Sequence, residues 1–251
     1  MPDLLSFEVA GFFLVFARIG AVMMLLPGIG EAEVPPRIRL IAAILVSLVV
    51  FPAVVRHLPG APANDAALLG LLIGELAVGL ALGAIVRILF SALAFAGTVI
   101  ALNAGLSAAT LFNPQEGQQG AMVSRFLALA AIVMMFAAGL HHMIFESLTR
   151  SYMVMRPGGA IAVGDFATLA VDAVGASFAL GLQLAAPFVV YGLIFNIGLG
   201  LMARLTPALQ VFFVAQPLNL LMAFALMLAT FGLILATFID RFGEAVRSFG
   251  G

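Results

Sequence analysis

Three apolar blocks, Leu68 to Leu102, Phe166 to Gly200 and Ala208 to Ile239, each run for more than thirty residues. About 20 helical residues cross the roughly 30 Å hydrocarbon core of a bilayer. At about 1.5 Å per residue, each block would form a rod of around 50 Å. Either each is a spanning helix continued by a second element, or it projects beyond the lipid and is covered by other protein, because exposed apolar patches of that size are rare on monomers. Shorter blocks run from Leu4 to Leu26, Leu40 to Val55 and Phe126 to Phe145. With 64% hydrophobic and 9% charged residues and a mean hydropathy of +1.21, the chain is far from the ~25% charged content of soluble domains. No window alternates with period two. The expected fold class is therefore all-α, a membrane-class helical protein of about six long hydrophobic segments.

Between the blocks lie turn signals: Pro27 with Gly28 and Gly30, Pro35-Pro36, Pro59 to Pro62, Pro157-Gly158-Gly159 and Thr206-Pro207. The stretch from Gly105 to Gln119, GLSAATLFNPQEGQQ, breaks the apolar pattern without a basic cluster. Irregular backbone between such blocks survives where protein shields it or where it lines a watery cavity. The stretch is thus a candidate gate, or else an ordinary connection with polar turn residues. In a gate, Leu106, Leu111 and Phe112 would make an apolar seal. Asn113, Pro114, Gln115, Gly117, Gln118 and Gln119 would hold the loop through backbone and amide hydrogen bonds, with Gly105 and Gly117 allowing displacement. At the start of the chain, Met1, Pro2, Asp3 and Glu8 precede any Arg, so the basic region of a secretory signal is missing. Leu4 to Leu26 reads as a retained helix.

Glycine spacing suggests close helix contact. Gly70 and Gly74 share one helix face, and Gly79 and Gly83 lie about half a turn round from them. Two small-xxx-small faces imply a sandwiched helix, although a chain with 26 Gly shows such spacings by chance as well. In the fifth block Gly192, Asn196, Gly200 and Arg204 advance by four as one stripe. With Thr206-Pro207 as the turn and the sixth block as the return, the pattern is that of a long helical hairpin. Pro187 and Pro217 fall inside its arms, where kinks are expected. Arg56, Arg150, Arg156, Arg241 and Arg247 on the side of both termini nearly balance Arg37, Arg39, Arg125 and Arg204 on the other, so charge does not set orientation.

Arg18, Glu75, Arg87 and Asp172 interrupt the apolar runs. Ionisable groups at membrane depth face protein or water and find partners; they either line a conducting path or pair with each other or with a neighbouring subunit. Together with Asn196 and Arg204, Arg18, Glu75 and Arg87 are the candidate buried-charge or subunit-contact residues. His142 and Glu146 form an i, i+4 pair beside His141, but a third metal ligand is missing, and the chain has no Cys. No nucleophile elbow, paired intramembrane Asp motif or phosphate loop is present. The sequence offers no catalytic residue, metal site or cofactor site, and its all-Arg basic set with net charge -1 gives no nucleic-acid surface.

Four stretches together resemble one family, the FliR proteins of the flagellar type III export gate, called SctT in injectisomes. They are FARIGAVMMLLPGIGEAEVPPRIRL, with Arg18, Pro27, Pro35, Arg37 and Arg39; GELAVGLALGAIVRILFSALAFAGTVIALNAGLSAATLFNPQEGQQ, with Glu75, Gly79, Gly83, Gly97, Gly105, Pro114 and Gln115; GLHHMIFESLTRSY, with His141, Ser147 and Ser151; and APFVVYGLIFNIGLGLMARLTPALQVFF. Their order and spacing cover nearly the whole chain. Asn113 stands where the family often has an acid, and Gly120-Ala121 where it often has a proline after the loop.

The resemblance implies a pore-forming, non-enzymatic subunit in the bacterial inner membrane at the flagellar basal body. Residues 1-165 would be a FliP-like helical part including the plug loop 105-120, and residues 166-251 a FliQ-like long hairpin with a C-terminal tail. The implied partners are FliP and FliQ in the gate, FlhB and FlhA at its cytoplasmic side, membrane lipid, and unfolded rod, hook and filament proteins in transit. The alternative is a small secondary transporter with Glu75, Arg87 and Asn196 at a midplane site.

Overall fold

The computed structural model describes residues 2–60, 64–106, 119–159, 163–205 and 211–248. The described residues are helical and carry no strand: α1 (Pro2–Leu25), α2 (Pro36–Val54) with a 3-10 turn at Val55–His57, α3 (Asp65–Asn103), α4 (Gln119–Ala137), α5 (Leu140–Val154), α6 (Val163–Leu205) and α7 (Val211–Ser248).

Helix boundaries follow local chemistry. Pro35 precedes α2 with φ -55° and ψ 138° and Pro36 is its first residue, a position where the missing N–H costs nothing. Asn64 Oδ1 accepts from the Ala67 N–H at 2.8 Å and so satisfies one orphan donor at the start of α3. The single block expected from Phe126 to Phe145 is two helices. Gly139, at φ +71°, separates α4 from α5, a left-handed conformation that glycine adopts without penalty. Helices α6 and α7 run on through Pro187 and Pro217.

Among the described residues five helices are long and apolar enough to cross a membrane, six if the pair α4 and α5, bent by 74°, is taken as one span. The three longest, α3, α6 and α7, have 39, 43 and 38 residues, each about twice what a bilayer core requires. In the most apolar windows of α2 and α7 only 22% and 17% of residues are buried. Those faces are dressed for lipid or for other protein.

The chain forms two compact units, one of residues 1–89, 136–174 and 243–251, the other of residues 90–135 and 175–242. In the first, Val15, Ile19, Val22 and Met23 of α1 form a core with Val78, Ile85 and Val86 of α3 and Ile144, Leu148 and Tyr152 of α5. Gly79 and Gly83 seat α3 directly on α1: a Cβ at Gly79 would strike the Arg18 carbonyl, and one at Gly83 would come within 3.0 Å of Leu25 Cβ. The other expected face differs at Gly70, where an added Cβ would meet nothing within 4 Å among the described residues. In the second unit Phe90, Phe238 and Phe242 form an aromatic cluster with centroids 5.3 to 6.0 Å apart. There Gly97 lets the Ser124 backbone of α4 approach α3, and Ser124 Oγ donates to the Ala94 carbonyl at 2.9 Å.

Candidate functional site

Two polar constellations stand out in this apolar chain, one in each unit. In the first unit Arg18 of α1 is completely buried and Glu75 of α3 is 2% exposed. Arg18 Nε donates to Glu75 Oε2 at 2.7 Å and Nη2 to Glu75 Oε1 at 2.8 Å. Its remaining donors reach Ser151 Oγ at 3.1 Å and the Met155 carbonyl at 2.8 Å. Met155 follows the last residue of α5, so the guanidinium also satisfies a carbonyl at a helix end. The Tyr152 ring lies 4.0 Å beneath the guanidinium carbon, a cation–π arrangement. One side chain thus ties α1, α3 and α5 together. The chemistry is that of a satisfied structural ion pair, planar fork against carboxylate.

Beside it is a cavity of about 680 Å³ whose lining includes Gly70, Gly74, Glu75, Arg156, Asp165 and Phe166. Farther along α3, Arg87 is half-exposed, 3.7 Å from Glu31 and 3.4 Å from the Leu25 carbonyl.

The second constellation surrounds the entry to the candidate gate. Helix α3 ends at Asn103 and α4 begins at Gln119; residues 107–118 lie outside the described residues. Gly105 has φ +75°. A Cβ there would lie 2.7 Å from Asn219 Nδ2 and 2.8 Å from Gln216 Oε1, both on α7. Asn219 is buried, and the Tyr191 hydroxyl of α6 donates to its Oδ1 at 2.7 Å, with its backbone carbonyl 3.1 Å away. Gly192, next to Tyr191, makes room for the Asn103 side chain, whose Nδ2 donates to the Val99 carbonyl at 2.8 Å. Leu106 turns toward Phe188, Leu220 and Phe224 around a small apolar void.

Of the residues singled out in the sequence, Arg18 and Glu75 come together and Gly105 and Leu106 sit at the loop entry. Asn196, Arg204 and Asp172 are exposed, which leaves contact with another subunit open to the first two. Gln119 opens α4. Leu111, Phe112, Asn113, Pro114, Gln115, Gly117 and Gln118 lie outside the described residues. Sequence reasoning missed Tyr152, Tyr191, Gln216 and Asn219. The signal for the last two was there, two amides three residues apart in an apolar helix. Among the described residues no group of three or more His, Asp or Glu is placed to hold a metal ion.

The family described as bacterial export proteins, family 1, matches residues 9–245. The chain is 37% identical to the flagellar biosynthetic protein FliR of Caulobacter vibrioides over 97% of each chain. It is 28% identical to FliR of Bacillus subtilis over 94% of this chain and 92% of that one. It is also 28% identical to the surface presentation of antigens protein SpaR of Salmonella typhimurium, over 90% of this chain and 85% of the other.

Proposed function

The chain belongs to the FliR family of bacterial export proteins, a membrane component of the flagellar export apparatus, and on that premise we propose that it is the plug-bearing subunit of the export pore. It joins FliP and FliQ in the inner membrane at the basal body to form the conduit through which unfolded rod, hook and filament proteins pass. FlhB surrounds the cytoplasmic entrance and FlhA supplies the energised cytoplasmic part. Residues 1-165 correspond to a FliP-like part and residues 166-251 to a FliQ-like hairpin. The subunit performs no covalent chemistry; it shapes and closes a passage.

The observation that carries this reading is the excess of apolar helix. Helices of 38 to 43 residues exceed what lipid alone covers, and α6 and α7 expose Leu193, Ile194, Leu221 and Leu228. Sister subunits would sheathe such faces, and the segment between α3 and α4 then falls inside the shared passage, closing it as an apolar constriction. A solute transporter finds less support. Glu75 is held in both oxygens by Arg18, and Arg87 lies on a half-exposed edge beside Glu31.

The test is single-channel recording from the complex of this chain with FliP and FliQ in planar bilayers. Deleting residues Leu111 to Gln119 is expected to raise ion leakage in the absence of substrate. Unchanged conductance in a complex of normal composition would remove the plug from the account.

A further inference from the structure

The cavity of about 680 Å³ beside the Arg18–Glu75 pair combines an apolar wall with two uncommitted charges. Its α3 lining recurs at Ala67, Gly70, Leu71, Gly74, Glu75 and Val78, a single helix face. At about 1.5 Å per residue that stripe is about 16 Å long, close to half of the roughly 30 Å hydrocarbon core of a bilayer. Phe166 and Leu169 of α6 add further apolar surface. The stripe is open where it is smallest, since a Cβ at Gly70 would meet nothing within 4 Å among the described residues. Glu75 brings no free charge to this space, because Arg18 holds both of its oxygens. Arg156 and Asp165 do. Arg156 lies just past the end of α5 and Asp165 in the first turn of α6, and both residues are exposed. Among the described residues neither side chain takes part in a salt bridge or hydrogen bond, with the other or with any neighbour.

We propose that this cavity is a site for one zwitterionic aminophospholipid, with an acyl chain along the α3 stripe, its phosphate on Arg156 and its ammonium on Asp165. The site goes beyond the plug reading and holds whether or not the chain bears a plug. A guanidinium matches a phosphate with two parallel hydrogen bonds, and basic pockets between membrane helices take lipid headgroups. The acid decides which headgroup. A lipid with a net negative charge would satisfy Arg156 but set a second anion near Asp165, whereas a zwitterion pairs with both. The chain then fills space that would otherwise leave Leu71 and Phe166 without packing partners on that side. Because the lipid binds the folded chain, its presence raises the stability of the unit by mass action.

The test has two arms. In the first, the full-length chain is purified in detergent and titrated with phosphatidylethanolamine, phosphatidylglycerol or inorganic phosphate, and bound lipid is counted by native mass spectrometry alongside thermal unfolding. Wild type is expected to retain one phosphatidylethanolamine several-fold better than phosphatidylglycerol, with a rise in melting temperature. Gly70→Phe, which fills the cavity, and Arg156→Gln should each lower that retention several-fold. Asp165→Asn should erase the preference while phosphatidylglycerol binds at least as well as before, a result that a misfolded chain does not produce. Unchanged retention in Gly70→Phe and Arg156→Gln overturns the site, equal retention of both lipids by wild type overturns the zwitterion match, and displacement of the lipid by inorganic phosphate overturns the lipid in favour of a free anion. In the second arm, phosphatidylethanolamine with a diazirine in its acyl chain is irradiated in vesicles holding the chain, and the adducts are mapped. Adducts on residues 67–78 are expected, lost in Gly70→Phe while those on the exposed Leu48 and Val49 of α2 persist. Labelling of α2 without labelling of residues 67–78 overturns the proposal. So does labelling that vanishes from residues 67–78 in the complex with FliP and FliQ, since a sister subunit then takes the cavity.

Discussion

Arg18 grips Glu75 in a two-pronged ion pair, 2.7 Å from Nε to Oε2 and 2.8 Å from Nη2 to Oε1, with both side chains shut away from solvent. Two charges taken out of water lose several kcal/mol each of hydration, and good geometry roughly recovers it. Such a pair specifies which helices meet more than it stabilises their meeting. Through Ser151 and the Met155 carbonyl it also fixes where α5 ends.

Removing one partner strands the other. Glu75→Leu or Arg18→Met is expected to destabilise the chain by about 3–5 kcal/mol, and the double variant Arg18→Met with Glu75→Leu to recover a large part of that loss. The measurement is the thermal unfolding of the full-length chain in detergent, alongside its steady-state level in membranes. A double variant as damaged as the sum of the singles would mean that the two residues are not energetically coupled and that no stranded charge is relieved by removing both.

The seating of α3 on α1 offers an internal control. A Cβ at Gly79 collides with the Arg18 carbonyl and sits 2.8 Å from Ala21 Cβ, whereas one at Gly70 on the same helix would meet nothing within 4 Å among the described residues. Gly79→Ala should therefore cost roughly 1–3 kcal/mol through overpacking. Gly70→Ala should be neutral or stabilising by up to about 1 kcal/mol, since alanine is the better helix former. Thermal unfolding of both variants in the same detergent decides it. Equal effects would mean that the α1–α3 contact at Gly79 is looser than its geometry implies.

Much of this architecture was legible in the residues, and the parts that were not share a cause. The existence and great length of α3, α6 and α7 follow from long apolar runs, although α7 continues past the apolar block's end at Ile239 to Ser248, through Asp240, Arg241, Glu244 and Arg247. The break at Gly139 escaped notice because its φ of +71° is a tertiary outcome that one glycine among 26 does not announce. Arg18 and Glu75 were each conspicuous as charges among apolar neighbours, but their pairing across 57 positions needs the packing of α1 on α3. Asn196 and Asn219 look alike in sequence, each an amide set in an apolar stretch of a long helix. Only the packed structure buries Asn219 beneath Tyr191 and exposes Asn196, because the choice of helix face depends on neighbours far along the chain.

The aromatic cluster of the second unit contrasts with the apolar residues that α7 leaves exposed. Phe238 is fully buried, with Phe90 set edge-on at 5.3 Å and Phe242 stacked at 5.5 Å. Its truncation to Ala removes both the transferred apolar surface and the packing around the void, a loss of about 3–5 kcal/mol. Leu228 on the same helix is 85% exposed, and Leu228→Ala should change the stability of the isolated chain by less than about 0.5 kcal/mol. If sister subunits cover that face, Leu228→Ala should instead lower the yield of the complex with FliP and FliQ while leaving the thermal unfolding of the chain alone unchanged. Thermal unfolding and size-exclusion yield, measured on the same two variants, separate the roles. A Phe238→Ala chain that melts like the wild type would show that the cluster is not the core of its unit, and a Leu228→Ala chain that assembles normally would remove that stretch of α7 from the covered surface.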